Sequence, residues 1–402
     1  MSRKKRIALV TTWFPDKTGS AVNRMFAFAR YLSEKYEVEV FTENTSTCTK
    51  NIDDIKVHYL NANSIWNRLR HSHVDSWLKH NIISVLNVSK GLIGVSDYKN
   101  WAKAALKHLH KRNNEKPFDL IISSYAPVEA HWVALEFLSK KQIPWIADMR
   151  DEMSQNPFAT LGEKRYLRKQ EKKVEKRASA ITSVSAPILN DFKILMPRIK
   201  HFVEIRNGFN HEVEPENQIS NQEFTLGYFG NFYGKRKPDT FFQVLEDLVV
   251  NKNLKVKIKI VGAFRNTFII PSALDEVIET LPQVDYIDAI KLMTTMDANL
   301  LIHPSGHHKG VYTGKLFDYI SIGRPVIGII DKNDVAAELI KEFECGYIAD
   351  YYDTNEIETM ILTAYADWEN GKVRKATDAQ IATLHRKHGV KILSQLIETL
   401  TN

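Results

Sequence analysis

The chain has 402 residues, of which 44% are hydrophobic and 26% charged, so it is globular and long enough for two domains with separate cores. It contains no run of about 18 apolar residues, and its first residues lead into a strand-like segment instead of an apolar leader; we therefore expect a soluble, cytoplasmic protein. The two cysteines, Cys48 and Cys345, have no His or Cys neighbours at ligand spacing, which argues against a disulfide framework or a zinc site.

The net charge of +7 is unevenly distributed along the chain. Residues 1–210 contain 35 Lys and Arg against 21 Asp and Glu, giving +14, and residues 211–402 contain 20 against 27, giving −7. This division predicts two domains with different partners, the basic one meeting something anionic such as a membrane surface or nucleic acid. Uneven but merely solvated charge is the alternative. Nucleic-acid binding is not expected, because no recognised module is present.

The first elements predict a doubly wound parallel sheet. Residues 6–12 form a strand pattern, a loop containing Gly19 follows, residues 21–34 have helical periodicity, and residues 38–42 form a second strand pattern. In such sheets, ligands lie at the carboxyl ends of the strands. The loop has one glycine and no Gly-x-Gly-x-x-Gly, which counts against an NAD enzyme.

Residues 61–112 mix Trp with Arg, Lys and His, a composition that suits the interfacial zone of a membrane. Helices that simply pack on the sheet are the alternative. Residues 163–177 predict a long exposed helix in which eight of fifteen residues are cationic. This helix is either a solvated surface or a lipid-facing stripe.

Two further strand patterns, residues 118–124 and 143–148, each end in polar groups. Asp148, Arg150 and Asp151 follow the second, at the edge where ligand clefts form, although an internal ion pair would also explain them. His131 follows the first strand near a helix start, where a lone histidine is more often structural.

The second half begins after a polar stretch, residues 211–223, that predicts an interdomain linker. Strand patterns at residues 225–230, 256–261, 284–287, 298–302 and 325–330 alternate with helices and predict another parallel α/β domain. Between the first strand and its helix, Gly230 and Asn231 precede three consecutive cations that include Arg236. Such a loop predicts a phosphate clamp, with a solvated basic turn as the alternative.

Residues 312–328 predict a short helix that leads into a buried strand, with Thr313 as its N-cap. The helix dipole disfavours Lys315 in the first turn unless an anion binds there, together with the N–H groups of Gly314 and Lys315. Asp318 lies one turn deeper, within reach of a ribose hydroxyl if the anion belongs to a nucleotide. A solvated Lys and Asp on a surface helix are the alternative.

Taken together, these motifs resemble those of GT-B glycosyltransferases, specifically the retaining family-4-like enzymes that build bacterial surface polysaccharides. Residues 118–151 are similar to the family pattern Asp-x-Ile-Ile-Ser-Ser…His…Ile-Pro-Trp-Ile-Ala-Asp-x-Arg-Asp, and residues 314–319 to its nucleotide-binding helix. The resemblance implies α/β architecture with two Rossmann-like doubly wound domains facing across a cleft. The implied domains are an acceptor domain at 1–210, a nucleotide-sugar domain at 211–375, and a C-terminal helix at 376–402 that returns to the first domain.

The resemblance also implies roles for individual residues. His131 would approach the transferred sugar, and Arg236 and Lys315 would stabilise the leaving diphosphate. The donor would contact Gly230, Asn231, Arg236, Thr313, Gly314, Lys315 and Asp318, and the acceptor side would include Gly19, Asp148, Arg150 and Asp151. The family's paired glutamates correspond here to Gly310 and Asp318, which is a departure at the donor site.

The sequence therefore predicts transfer of a sugar from a nucleotide-sugar donor, UDP-linked by expectation, to a lipid-linked or glycan acceptor at the cytoplasmic membrane face, with retention of configuration. No Asp-x-Asp motif is present, so we expect neither a metal nor another cofactor. A GT-B sugar-nucleotide epimerase and a catalytically silent partner subunit are the rival interpretations, the second suggested by Gly310.

Overall fold

The computed structural model describes residues 3–15, 17, 19–61, 98–212, 221–232, 234, 236–263, 267–304, 306 and 309–402. The chain divides into two compact units. Unit 1 comprises Met1–Arg206 together with Arg386–Asn402, and unit 2 comprises Asn207–His385. Most of the Trp-rich part of residues 61–112 falls outside the described residues, and the interfacial helix predicted there stays a prediction. In the described part the prediction is wrong for Trp101, which is completely buried.

Unit 1 is built on an eight-stranded sheet with the order β3-β4-β2-β1-β5-β6-β7-β8. Every neighbouring pair is parallel except β3 and β4, which form an antiparallel pair at one edge. The strands are β1 Arg6–Val10, β2 Glu37–Asn44, β3 Cys48–Ile52, β4 Ile55–Asn61, β5 Leu120–Tyr125, β6 Trp145–Met149, β7 Ala180–Ser183 and β8 His201–Glu204.

Among the described residues, five helices connect strands of this sheet, whereas β2, β3 and β4 follow one another without a helix. They are α1 Ser20–Ser33, α2 Lys99–Glu115, α3 Glu129–Phe137, α4 Leu161–Glu175 and α5 Ala186–Leu195. Strands β1, β5 and β6 are buried along their whole length because helices cover both faces of the sheet.

Unit 2 contains a six-stranded, all-parallel sheet with the order β11-β10-β9-β12-β13-β14. Its strands are β9 Phe224–Phe229, β10 Val256–Val261, β11 Ile278–Leu281, β12 Ala298–His303, β13 Val326–Ile330 and β14 Gly346–Ala349. Its helices are α6 Asp239–Lys252, α7 Tyr286–Thr294, α8 Gly314–Ser321, α9 Val335–Glu342, α10 Thr354–Glu369 and α11 Asp378–Leu384.

The last helix, α12 Arg386–Thr401, belongs to unit 1. Its Val390, Leu393 and Ile397 join the apolar core formed by α1 and the first strands. The Glu398 carboxylate accepts hydrogen bonds from Lys5 Nζ at 2.7 Å and from the Tyr36 hydroxyl at 2.6 Å. The predicted return of the terminal helix to the first domain is confirmed. Among the described helices, none combines the length and apolar composition that crossing a bilayer requires.

One predicted strand, at residues 284–287, is wrong. Asp285 has extended backbone angles and is the N-cap of α7, whose first residues are Tyr286 and Ile287. The edge of the sheet is instead occupied by β11, which pairs in parallel with β10. The β-branched and aromatic residues of the stretch resembled a strand, although Ile287 is exposed on the helix.

Candidate functional site

The N-terminus of α8 offers unsatisfied backbone donors. Thr313 is the N-cap, as the sequence predicts, but its side chain makes no capping hydrogen bond. The first N–H groups of a helix have no intrahelical acceptor, and Gly314 at this end is exposed. These donors, together with the positive end of the helix dipole, favour an anion at this place.

The Lys315 side chain places its ammonium group beside the Tyr228 ring, within unit 2. Its Nζ lies 4.1 Å from the centroid of the Tyr228 ring, a cation–π contact. Within the described ranges, no carboxylate and no hydrogen-bond acceptor pairs with this ammonium. Burial, with a smaller contribution from the positive charge of Arg236, lowers the pKa of Lys315 to about 7. An anion bound beside the ammonium would offset this desolvation.

Gly230 makes room for the Lys315 side chain. It directly follows β9 and has a φ of 109°, in the region that L side chains rarely adopt. A Cβ at this position would lie 2.8 Å from Lys315 Cε and 3.0 Å from Nζ. The backbone conformation favours glycine, and a larger residue would also displace the end of the Lys315 side chain.

A buried tyrosine fixes α8 against the end of β9. The backbone N–H of Phe229 donates to the Tyr319 hydroxyl at 3.1 Å, and Tyr319 is four residues after Lys315 on the same side of the helix. Burial raises the pKa of Tyr319 well above its ordinary value, so the hydroxyl stays neutral. This contact holds Lys315 beside Gly230.

The loop after β9 has its own supporting contacts. The Tyr228 hydroxyl donates to the main-chain oxygen of Asn231 at 3.1 Å, and the Thr267 hydroxyl donates to the Asn231 side-chain oxygen at 3.2 Å. Arg236 is partly buried, and its charge acts on Lys315. Tyr233 and Lys235 lie outside the described residues. The structure thus brings Gly230, Arg236 and Lys315 into one neighbourhood.

Asp318 is held by a chain of polar contacts on the other side of α8. The Tyr286 hydroxyl donates to Asp318 Oδ1 at 2.8 Å, and His211 Nδ1 lies 3.0 Å from the same hydroxyl. His211 Nε2 lies 2.8 Å from the Ser321 hydroxyl, which donates to the main-chain oxygen of Asp318 at 2.7 Å. Tyr286 of α7 and His211, near the start of unit 2, therefore position Oδ1 of Asp318.

Gly310, where the resemblance would place a glutamate, has a structural role in this chain. Its φ is 86°, and its N–H donates to Asp334 Oδ1 at 2.7 Å. The same oxygen accepts from the N–H of Val335 at 2.8 Å and so caps α9. The backbone at residue 310 is thus bound to the start of α9 in a conformation that favours glycine.

In unit 1, Asp148 is completely buried and paired with Arg24. Arg24 Nη2 lies 2.7 Å from Oδ1 and Nε lies 3.2 Å from Oδ2. The hydroxyls of Thr182 and Ser124 donate to the two oxygens at 2.8 and 2.9 Å. Although burial raises the pKa of Asp148, Arg24 and these hydroxyls hold it below its ordinary value. In this structure the carboxylate holds strands and α1 together, and its predicted contact with an acceptor stays a prediction.

His131, on α3, also has no exposed surface. Its Nδ1 lies 2.7 Å from the Ser123 hydroxyl, which accepts from the Trp145 indole N–H at 2.7 Å, and its Nε2 lies 3.2 Å from Met149 Sδ. Burial lowers the pKa of His131 to about 4, so the ring is neutral at pH 7. The structure packs the ring against residues of β5 and β6, and its predicted approach to a sugar stays a prediction.

Arg150 ties two loops together at the carboxyl edge of the unit 1 sheet. Its Nε donates to the Tyr125 main-chain oxygen at 2.6 Å, and burial lowers its pKa. The indole N–H of Trp13 donates to the main-chain oxygen of Ala126, in the same loop, at 2.7 Å. Asp151 is 3.9 Å from the Arg150 guanidinium and half exposed. Gly19, the N-cap of α1, is exposed with a φ of 124°.

The predicted donor residues lie apart from the cavity described next, and the described residues include no metal-ligand cluster. A cavity of about 1170 Å³ in unit 2 is lined by residues of α9, β14, α10 and the segment after it, and the predicted donor residues do not line it. Within the part of the chain that the structure describes, no cluster of three or more His, Cys, Asp or Glu side chains could hold a metal ion. Metal independence stays a prediction.

Comparison with known proteins supports the fold of the chain. No family model matches the chain, and a search of curated proteins finds no match. Sucrose-phosphate synthase from Thermosynechococcus elongatus is 12% identical, with a TM-score of 0.68 and 99% coverage of both chains. HepE from Anabaena, in complex with UDP-glucose, is 14% identical, with a TM-score of 0.62, and the alignment covers 98% of this chain and 100% of HepE. A Rickettsia africae glycosyltransferase is 13% identical, with a TM-score of 0.62 and 99% coverage of both chains.

These similarities establish the fold. The chain has the GT-B architecture of two parallel-sheet, Rossmann-like units that glycosyltransferases share. At this level of identity the activity does not follow from the fold alone.

Several residues that shape the site do not stand out in the sequence. Arg24, Tyr228, Tyr286 and Ser321 carry no motif of their own, and His211 belongs to a stretch with linker composition. In the structure His211 is buried. Among the supporting residues, only Tyr319 could be anticipated from the sequence, because its spacing of four from Lys315 places both on one helical face.

Proposed function

We propose that the chain is a glycosyltransferase that moves a sugar from a nucleotide-sugar donor to a lipid-linked or glycan acceptor in cell-surface polysaccharide synthesis. The observation that carries the proposal is Lys315, an ammonium without a carboxylate partner among the described residues, beside Gly230 and at the start of α8. Such an arrangement suits the diphosphate of a sugar nucleotide. The HepE complex contains UDP-glucose, which supports a UDP-linked donor.

The chemistry follows from the charge that develops on the leaving group. When the bond between the anomeric carbon and the diphosphate oxygen breaks, negative charge grows on the diphosphate. Lys315, Arg236 and the first N–H groups of α8 would stabilise this charge in a partly desolvated place, where fixed donors act most strongly. The acceptor hydroxyl oxygen bonds to the anomeric carbon, and its proton leaves with the diphosphate. No strong protein base is required, and retention of configuration is the outcome that the family resemblance implies.

Asp318 would recognise the ribose of the donor. Tyr286 engages Oδ1, and Oδ2 would accept a hydrogen bond from a ribose hydroxyl. The side chain is one methylene shorter than the family's glutamate, so a bridging water can complete the contact.

The decisive experiment measures nucleotide binding by calorimetry. Lys315→Ala and Arg236→Ala are each expected to weaken UDP by about 1.5–3 kcal/mol, the range of one charge-assisted hydrogen bond. Uridine, which lacks phosphates, should bind parent and variants equally. Equal loss of UDP and uridine would contradict the phosphate assignment, and a parent that binds no nucleotide would favour a silent partner subunit.

The reaction itself separates transfer from isomerisation. Incubation of the parent with UDP-sugar alone should leave the donor sugar unchanged, and UDP should be released only when a glycan or lipid-linked acceptor is added. Formation of an isomeric UDP-sugar without acceptor would instead identify an epimerase.

A further inference from the structure

His211 begins a chain of hydrogen bonds that reaches the Asp318 carboxylate. Its side chain is buried, with 8% of its surface exposed. The ring packs on the ring of Phe209, with centroids 4.9 Å apart. Phe209 is itself held by the end of α11, since its N–H donates to the main-chain oxygen of Leu384 at 3.3 Å. These contacts fix the place of the imidazole within unit 2.

The proton positions in this chain follow from the donors that each group has. An ionised carboxylate only accepts, so the 2.8 Å contact between the Tyr286 hydroxyl and Asp318 Oδ1 uses the single hydroxyl proton of the tyrosine. The 3.0 Å contact between this hydroxyl and His211 Nδ1 then needs a proton on the nitrogen. The Nδ1–H group of His211 therefore donates to Tyr286, which in turn donates to Asp318.

The other ring nitrogen can gain or lose a proton without the movement of a heavy atom. Ser321 Oγ lies 2.8 Å from His211 Nε2 and 2.7 Å from the main-chain oxygen of Asp318. The serine hydroxyl can donate to Nε2 when the imidazole is neutral, and to the main-chain oxygen when Nε2 carries a proton. The proton on Nδ1 is thus common to both charge states of the ring.

This proton decides where the Tyr286 hydroxyl points. The Tyr286 side chain is 47% exposed, so its hydroxyl has access to water as an alternative partner. If Nδ1 lacked a proton, its lone pair would accept the tyrosine proton, and Asp318 Oδ1 would lose its donor. A donor at Nδ1 removes this competition and leaves the carboxylate as the acceptor.

We propose that His211 is a positioning residue of the donor site, which directs the Tyr286 hydroxyl to Asp318 through its Nδ1 proton. The inference rests on the proposed function, which assigns Asp318 to the ribose of the nucleotide-sugar donor. With Oδ1 engaged by Tyr286, the carboxylate presents Oδ2 to a ribose hydroxyl. His211 acts through Tyr286 and not by contact with the donor.

Two amide variants test which ring nitrogen matters. The side-chain amide of Asn places its N–H near the position of Nδ1, whereas the longer Gln reaches the position of Nε2. His211→Asn should keep the donor to Tyr286 and bind UDP within about twofold of the parent. His211→Gln should lose this donor and bind UDP about fivefold more weakly, the effect of one hydrogen bond. Calorimetry on the full chain measures both affinities.

The 2′,3′-dideoxy analogue of UDP is the control ligand. It lacks the hydroxyls that Asp318 would contact, so it should bind the parent, His211→Asn and His211→Gln alike. Its binding also shows that each variant is folded around an intact donor site.

A double variant and a matched control separate this role from packing. If His211 acts through Tyr286, His211→Gln should have no further effect on UDP binding in a chain that already carries Tyr286→Phe. The ring of His385 also packs on Phe209, with centroids 5.1 Å apart. His385→Gln should leave UDP affinity unchanged, whereas a general loss of packing around Phe209 would weaken binding in both histidine variants.

Nitrogen NMR gives a readout that does not depend on the nucleotide. The ring signals of His211, assigned as those that disappear in His211→Asn, should show a proton on Nδ1. A ring that carries its only proton on Nε2 would overturn the proposal.

The binding data can also contradict it. UDP affinities that are equal in the Asn and Gln variants, or losses that simply add in the double variant, would overturn the inference alone if the parent still prefers UDP to its dideoxy analogue. A parent that binds UDP and the analogue equally would instead contradict the ribose contact of the proposed function, and the inference would fall with it.

Discussion

For Lys315, the sequence predicted an anion beside the side chain but not the residues that surround it. A lysine in the first turn of a helix is unfavourable unless an anion is present, so the sequence predicted an anion there. The Tyr228 ring under its ammonium and the absence of a side chain at Gly230 depend on how β9 meets α8 in three dimensions. These contacts join a strand and a helix that are far apart in the chain, and no local sequence pattern predicts them.

We expect UDP binding to take up a proton through Lys315. The pKa of this group is about 7 in the free protein, and a bound diphosphate would raise it. Above pH 7 the free lysine loses its proton and the complex retains it, so affinity should fall by up to about tenfold per pH unit until the pKa of the complex is reached. Calorimetry above pH 7 in buffers of different ionisation enthalpy would measure the proton uptake.

The matched variant for this measurement is Lys315→Met, which keeps an unbranched side chain one atom shorter and removes the charge. It should bind UDP weakly, with little dependence on pH over the same range. A parent affinity that is flat between pH 7 and pH 9 would show that Lys315 does not approach the phosphates.

Tyr286 should act on the ribose through Asp318. Tyr286→Phe removes the hydroxyl that donates to Oδ1, and we expect UDP to bind more weakly by about 0.5–1.5 kcal/mol, the range of one hydrogen bond. The 2′,3′-dideoxy analogue of UDP should bind parent and variant alike, because it lacks the hydroxyls that Asp318 would contact. Equal weakening of both nucleotides would assign Tyr286 a structural role only.

At the scale of elements, periodicity predicted the buried strands and the cationic helix well. The predicted strand at residues 256–261 coincides with β10, and the predicted helix at residues 163–177 corresponds to α4 within two residues. The strands that the sequence analysis did not predict include β3 and β4, which follow β2 without an intervening helix, and the short strands β11 and β14. β11 and β14 have four residues each, too few for a clear pattern, and the stretch around Asp285 combined strand-like residues with a helix cap.

The buried pair of Arg24 and Asp148 is expected to stabilise the junction of α1 with β5, β6 and β7. Arg24→Met leaves an uncompensated carboxylate, and the free energy of unfolding should fall by about 3–5 kcal/mol. Denaturation with urea would measure it. In the double variant with Asp148→Asn, the amide oxygen still accepts one hydroxyl hydrogen bond, and part of the loss should be recovered. If the two single changes are simply additive, the pair is not coupled.

At the scale of the whole molecule, the sequence predicted two α/β halves because both repeat the alternation of strands and helices. The position of α12 could not be predicted from periodicity, because an amphipathic helix can pack on the apolar core of either unit. Only the family resemblance predicted that it joins unit 1. The charge asymmetry also acquires a location in the structure, since nine of the exposed cations of this half lie on two helices, four on α2 and five on α4 including its C-cap Lys176.

Unit 1 should lose stability in acid because His131 is buried in its neutral form. His131 has a pKa of about 4 in the folded chain against 6.5 in an unfolded one, so unfolding binds a proton between these values. Its contribution to stability is fully present above pH 6.5 and is lost as the pH falls toward 4. The expected loss between pH 7 and pH 5 is about 2 kcal/mol. His131→Gln, which does not titrate, should flatten this part of the pH profile measured by urea denaturation, even if its stability at pH 7 is lower. An unchanged slope in the variant would mean that other groups set the acid limit, with the partly buried His108, whose pKa is also about 4, as the next group to replace.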